Sequence, residues 1–292
     1  MALEQRVADV LIRHGWNVTQ NVGYEDVVEA KHREMDVIAS RRWTRLNGRE
    51  VVVRLQLVIE AKLLSGAEII VGEEIRAQSE FGERCYFSWL GLDDEAVEKQ
   101  VYRAIHASGV SQEVIDRTAA RFHELAYPPP ENYAPANDLI ADAPMAPRYG
   151  TAVRLATDKG DDVNSIASYG LRAALSCVRS LMQQSIARRA DRLRGDVATA
   201  IRSDDPSLLD QALESAMSVI ELFHPLVVAD AGLFTVWIDD INATPWCRIA
   251  NLDYRTEERE WVDLVSVAAF DDWVAYVTEY YENFFRRVTA PA

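Results

Sequence analysis

The stretch from Met35 to Lys62 constrains the fold more than any other. Two β-rich runs flank Leu46-Asn47-Gly48, a turn signature, and both alternate with a strand's period of two. On the first arm the odd positions Met35, Val37, Ala39 and Trp43 are apolar, while the even positions carry Asp36, Ser40, Arg42 and Thr44. On the second arm Val51, Val53, Leu55, Leu57, Ile59 and Ala61 are odd and apolar, and Arg54, Gln56, Glu60 and Lys62 are even. Opposed residues in a hairpin share a face, so odd must oppose odd. A two-residue Asn47-Gly48 loop fails that test, because it pairs Asp36 with Ile59. A three-residue loop of Leu46, Asn47 and Gly48, with Gly48 left-handed in a bulge, passes it. Arg45 then opposes Arg49, Asp36 opposes Val58, and Glu60 lies diagonal to Asp36. The odd side is predicted to face a core and the even side water.

Asp36, Glu60 and Lys62 therefore share one side of the hairpin, a mixture of acid and base that packing does not require. Adjacent strands lie about 4.8 Å apart and diagonal Cβ atoms about 7–8 Å or less, close enough for two carboxylates to converge on one divalent ion. Magnesium takes hard oxygen ligands and keeps several waters, so Asp36, Glu60 and the Ala61 carbonyl would suffice, and manganese could substitute. Lys62 could orient or deprotonate an attacking water or offset phosphate charge. Arg41, Arg42, Arg45 and Arg49 cluster at the hairpin tip, and Arg54 and Gln56 join them as candidate nucleic-acid contacts. The bland readings are a solvated face with an ion pair worth about 0.2–1 kcal/mol, and edge strands protected by charge.

The run Arg33-Glu34-Met35-Asp36-Val37-Ile38-Ala39, a hairpin, and then Leu57-Val58-Ile59-Glu60-Ala61-Lys62 resembles the core of the PD-(D/E)xK nuclease superfamily, and within it the Mrr-like restriction endonucleases. An opening helix in such proteins often donates a glutamate, and Glu4 matches that position. The resemblance covers residues 1–72. It implies an α-β-β-β-α-β core in which Asp36 and Glu60 bind magnesium, Lys62 assists the nucleophile and Glu4 supports the site. No proline precedes Asp36, and no QxxxY follows Lys62, since Gln78 leads into Ser79, Glu80, Phe81 and Gly82.

Elsewhere the pattern is helical at 3–14, where Gly15 supplies a stop, then a strand from Trp16 to Val22. A brief strand is expected at Ile69 to Val71 and one or two helices from Asp93 to Leu125. Six prolines between 128 and 150 mark a linker or excursion, dividing the chain into 1–127, 128–150 and 151–292. A long helix is expected from Val163 to Leu193, whose Ala173, Ala174, Ser176 and Cys177 allow close approach to a sheet. Another is expected from Ser207 to Phe223, followed by strands at Leu226–Ala229, Phe234–Ile238 and Trp261–Val267. A closing helix from Asp271 to Arg287 carries Trp273, Tyr276, Tyr280 and Phe284 as a core stripe. The fold class is α/β, a restriction-endonuclease-like core with a large helical insertion and a C-terminal strand-helix extension. The later strands and the long helix could complete the same sheet.

Charge bears on partners. The net charge is −15, yet residues 1–66 sum to +1, which leaves −16 for the remainder. Bulk coating of nucleic acid is thereby disfavoured. Cys85, Cys177 and Cys247 form no CxxC pair and read as packing residues, and the five histidines show no metal-ligand spacing. Phosphate-loop and GxSxG motifs do not occur. No long apolar run or signal peptide is present, so the expectation is a cytoplasmic protein without membrane contact. The leading expectation is a magnesium-dependent endonuclease acting on DNA, with RNA as the other candidate substrate, in restriction or defence. The alternative is an inactive nuclease-fold scaffold that meets a protein partner through its acidic C-terminal half. Homodimers are compatible with either.

Overall fold

The computed structural model describes residues 2–26, 29–47, 49–64, 67–73, 85–88, 94–107, 109, 111–126, 144–157, 160–162, 166–203, 205–237, 240–252 and 259–289. The N-terminal part runs α1 (Leu3–Arg13), β1 (Asn17–Asp26), β2 (Lys31–Asn47), β3 (Arg49–Lys62), β4 (Glu68–Glu73) and β5 (Tyr86–Ser88). Then come α2 (Asp94–Ala107), α3 (Gln112–Ala126), β6 (Tyr149–Thr157), β7 (Gly160–Asp162), α4 (Ile166–Ser203) and α5 (Pro206–Met217). The chain continues through β8 (Val219–Ala229), β9 (Gly232–Trp237), β10 (Asp240–Ala243), β11 (Trp246–Leu252) and β12 (Arg259–Ser266), then ends in α6 (Phe270–Thr289). The strands form one mixed sheet ordered β1-β2-β3-β8-β12-β11-β6-β4-β9-β10, with β5 on β8 and β7 on β6.

The hairpin keeps its expected parity and changes its register. Asn47 pairs with Arg49, Arg42 with Arg54 and Val37 with Ile59, so odd opposes odd as the alternation requires. Pairing continues to the residues beside Gly48, two positions beyond the expected three-residue loop. Extended by one rung this register would set Asp36 opposite Glu60, where the sequence reading placed Val58, but the ladder stops at Val37 with Ile59. Gly48 itself, and its expected left-handed bulge, lie outside the described residues. The odd face is apolar as expected: Val37, Ala39, Leu55, Leu57 and Ile59 pack against Leu3, Val7 and Leu11 of α1 and Trp273, Val277 and Tyr281 of α6. Tyr276, expected in the same stripe, is exposed, because the buried side of α6 runs through Tyr281 instead.

The even face is not the solvated surface that alternation suggested. β3 pairs with β8 in parallel over eleven residues, from Val52 with Val219 to Lys62 with Ala229, and α4 crosses beneath them. Val58 and Ile38 pack there with Cys177, Val178 and Phe223. Phe223 was expected at the end of a helix from Ser207, but α5 stops at Met217 and β8 begins two residues later. Every residue of strand β8 after Val219 is buried, Glu221 and His224 included, as in a strand covered on both faces. It also holds Pro225 in its middle. On the far edge of β8, β5 covers Glu221 to Phe223 and β12 covers Leu226 to Ala229, so Pro225 falls in the gap where no donor is required.

A charged core lies under α6. His224 is fully buried; its Nε2 is 2.8 Å from Asp263 Oδ2, and its Nδ1 is 3.1 Å from the Tyr281 hydroxyl. Arg248 donates to both Asp263 oxygens, from Nε at 2.7 Å and Nη2 at 3.0 Å, and its guanidinium stands 4.0 Å from the Trp261 ring centre. Burial pushes the His224 pKa down against the pull of Asp263. Burial would raise the Asp263 pKa, but Arg248 and His224 overcome it and hold the carboxyl low. Each charge is thus paired, as a buried ion must be. Replacing Asp263 by alanine removes the carboxylate that Arg248 and His224 share, and a loss of about 3–5 kcal/mol in unfolding free energy is expected from urea titration. Both pKa values lie below their unfolded values, so the native state binds fewer protons in acid. The stability that this cluster contributes should therefore be full above about pH 6.5 and decline on acidification, first as His224 is forced to charge and then as Asp263 is protonated. A stability gap between wild type and Asp263→Ala that widens towards acid would contradict this.

Candidate active site at the end of β3

The hairpin ladder stops at Val37 with Ile59. The same register would next pair Met35 with Ala61, but the Ala61 amide instead donates to Asp36 Oδ2 at 2.7 Å. A carboxylate has taken the place of a backbone carbonyl. The local cause is a reversal of face: Met35, expected beside Val37 and Ala39, packs on the other side of the sheet with Tyr24, Ile38 and Cys177. In an extended strand the N–H and C=O of one residue project to the same side, so the Ala61 carbonyl also faces β2. The next carbonyl, that of Lys62, accepts from the Asp230 amide beyond β8 at 3.0 Å.

Glu60 enters from the facing strand and is 7% exposed. Its Oε1 accepts a short hydrogen bond from Lys62 Nζ, while its Oε2 is buried without a partner among the described residues. The Lys62 stem lies under Gly170 of α4. A Cβ built there would stand 3.2 Å from Lys62 Cε and 3.5 Å from Val227 Cγ1, so a larger residue would press the lysine stem aside by a few tenths of an ångström. Burial raises the Asp36 pKa above the ordinary carboxylate range against the Ala61 amide and Lys62, and Glu4 and Glu34 push it further. Burial likewise raises that of Glu60 against the Lys62 hydrogen bond, with the Asp36 charge adding to the rise. The oxygens that a hard cation would have to use are those of Asp36, Glu60 Oε2 and the Ala61 carbonyl. Among the described residues no group of three or more His, Cys, Asp or Glu side chains stands at metal-holding spacing, so backbone and water would have to complete such a shell.

The remaining candidates divide by face. Glu4, partly buried in the first turn of α1, lies near enough to act on Asp36. Arg42 is exposed and Gln56 half-buried on the even side; Arg54 there donates to Glu221 Oε1 at 2.9 Å. Arg41 projects to the opposite face, 2.8 Å from Glu282 of α6 and over the Trp16 ring. The side chains of Arg45 and Arg49 lie outside the described residues. Sequence reasoning missed Arg33, whose charge lowers the Glu60 pKa and whose Nε stands 2.9 Å from Asp26 Oδ2. The Arg33-to-Asp36 spacing was visible, but the reversal that carries Arg33 towards Glu60 was not. No protein-family model, curated protein or solved structure matches the chain.

A carboxylate whose folded pKa is raised favours the native state below its unfolded pKa of about 4 and loses that contribution as pH rises through the folded value. Ionised Asp36 is accordingly a cost at neutral pH. Asp36→Asn retains an oxygen for the Ala61 amide and removes the charge, so it should stabilise the fold by roughly 0.5–2 kcal/mol at pH 8, with less gain near pH 4. Denaturation midpoints at both pH values measure this, and a less stable variant at pH 8 would refute it.

Proposed function

We propose that this protein is a metal-dependent nuclease that hydrolyses phosphodiester bonds, with DNA as its substrate. The observation that carries the reading is the Asp36 carboxylate held on the Ala61 amide, between Glu60 and the Lys62 that bonds it, with a buried Glu60 oxygen left free of partners among the described residues. Neither packing nor stability accounts for it, because both carboxylates are held where their charge is disfavoured. The element order lends support. Helix α1, antiparallel β1, β2 and β3, the crossover α4, and β8 parallel to β3 follow the α-β-β-β-α-β order of the PD-(D/E)xK nucleases. Helices α2 and α3 with β4 to β7 are inserted before the crossover, and α5 after it.

Asp36, Glu60 Oε2 and the Ala61 carbonyl are the donors for magnesium or manganese, which would polarise the phosphate and acidify a water. Lys62 carries three donors, of which one is engaged by Glu60. The others can orient the attacking water and offset charge as its oxygen bonds to phosphorus and the ester oxygen departs. Glu4 tunes Asp36 from α1. Arg42, Arg54 and Gln56, on the even face of the hairpin with Glu60, would meet the phosphate backbone.

Purified protein should cleave DNA in magnesium or manganese and not in chelator, with RNA and single strands run in parallel. Asp36→Asn and Lys62→Ala should each lower the rate by about a hundredfold or more. Cleavage that survives both substitutions would assign the activity elsewhere. Absence of cleavage and of metal affinity, together with tight capture of a protein partner, would favour the inactive scaffold acting through the acidic C-terminal half.

A further inference from the structure

Asp36 leaves its ladder at the rung it shares with Asn21. In the β1–β2 register Gln20 pairs with Val37 and Val22 with Met35, and the intervening rung, Asn21 with Asp36, is unpaired. Asn21 is not glycine, yet its φ is +53°, in the left-handed region. Both strands turn over at this one rung. On β1, Val18 packs against the core shared with α1 and α6, whereas Val22 and Tyr24 pack on the α4 side. On β2, Val37 and Ala39 lie with the first core and Met35 with the second. Positions 18 and 22 would share a face in a regular strand, as would 35 and 37. One left-handed residue at the crossing point accounts for both reversals, because its reversed backbone turn cannot be propagated as a flat pleat.

We infer that Asn21 is a positioning residue for Asp36: its left-handed backbone opens the β1–β2–β3 ladder at one rung and presents the Asp36 carboxylate, in place of the Met35 carbonyl, to the Ala61 amide. Its importance for metal binding and cleavage rests on the proposed function, but the backbone device does not. Asparagine suits the role, since it enters the left-handed region several-fold more readily than most side chains, whereas a β-branched residue resists it. Its side chain is exposed and touches neither Glu60 nor Lys62 by any hydrogen bond or ion pair described. The effect is carried by the backbone.

The test compares Asn21→Val with Asn21→Gly in protein labelled with 15N-alanine, following hydrogen exchange of the Ala61 amide with and without Asp36→Ala. In the wild type and in the Asn21→Gly background, removing the Asp36 carboxylate should expose the Ala61 amide and speed its exchange by about tenfold or more, as loss of one hydrogen bond to a charged group implies. In the Asn21→Val background the ladder is expected to close through Met35, so the same removal should leave exchange unchanged. Manganese affinity by calorimetry should fall about 10- to 100-fold in Asn21→Val and return in Asn21→Gly, with kcat following affinity and KM for DNA unaltered. If Asn21→Val does not fold, Asn21→Ala is read by the same comparison. Equal sensitivity of the Ala61 amide to Asp36→Ala in all backgrounds, with unchanged manganese affinity, would overturn the assignment. The expected exchange pattern in a protein that binds no manganese and cuts nothing would sustain the positioning role and reject the nuclease.

Discussion

Desolvation at the end of β3 is the constraint to which the surrounding elements answer. Strand β3 is flanked by β2 and β8 and packed by α1 and α6 on one face and α4 on the other, so any charge near its end must be held by specific partners. Two charges are placed there, Glu60 and Lys62, and a third, Asp36, leans across from β2. Their mutual arrangement is the least costly in such a place: an amide for one carboxylate, an ammonium for the other, and glycine above the ammonium's stem. Glu60 Oε2 remains buried without a partner among the described residues, and in a dry interior such an atom asks for a cation or a water.

The second charged cluster follows the opposite logic. Around His224 every strong group finds a partner within the protein, and tryptophan rings close the space about the imidazole. Strands β8, β11 and β12 are thereby tied to α6. The two clusters lie on adjoining parts of one sheet and use similar residues. The difference lies in the charged groups: around His224 each has a partner in the protein, whereas Glu60 keeps one buried carboxylate oxygen without one among the described residues.

Much of this was legible in the residues, and the failures have causes. Parity of the hairpin was readable because a period of two admits only one choice of buried side, and it survived a two-residue error in the loop. Burial of the even side was harder to see, since Arg54, Gln56 and Glu60 dominate it. Ile38, Val52 and Val58 were the available signs that a helix would cover part of that face. Strand β8 was partly mistaken for a helix because Glu221 and the leucines around it favour one, and Pro225 argues against a central strand. Only the spatial gap between β5 and β12 reconciles that proline with the sheet. The reversal at Asn21 left no mark in hydrophobic pattern at all, because a backbone angle is not a composition.

Strand order also sets a timetable. Strand β3 is made within the first 62 residues, but its parallel neighbour spans Val219 to Ala229, and β4 must be inserted between β6 and β9. Contacts of such long sequence separation form slowly, and an unpaired apolar edge invites the wrong partner meanwhile. A ribosome must deliver more than two-thirds of the chain before that edge is covered. Until then the nascent hairpin depends on whatever chaperone shields it, and synthesis speed becomes part of how much protein a cell recovers.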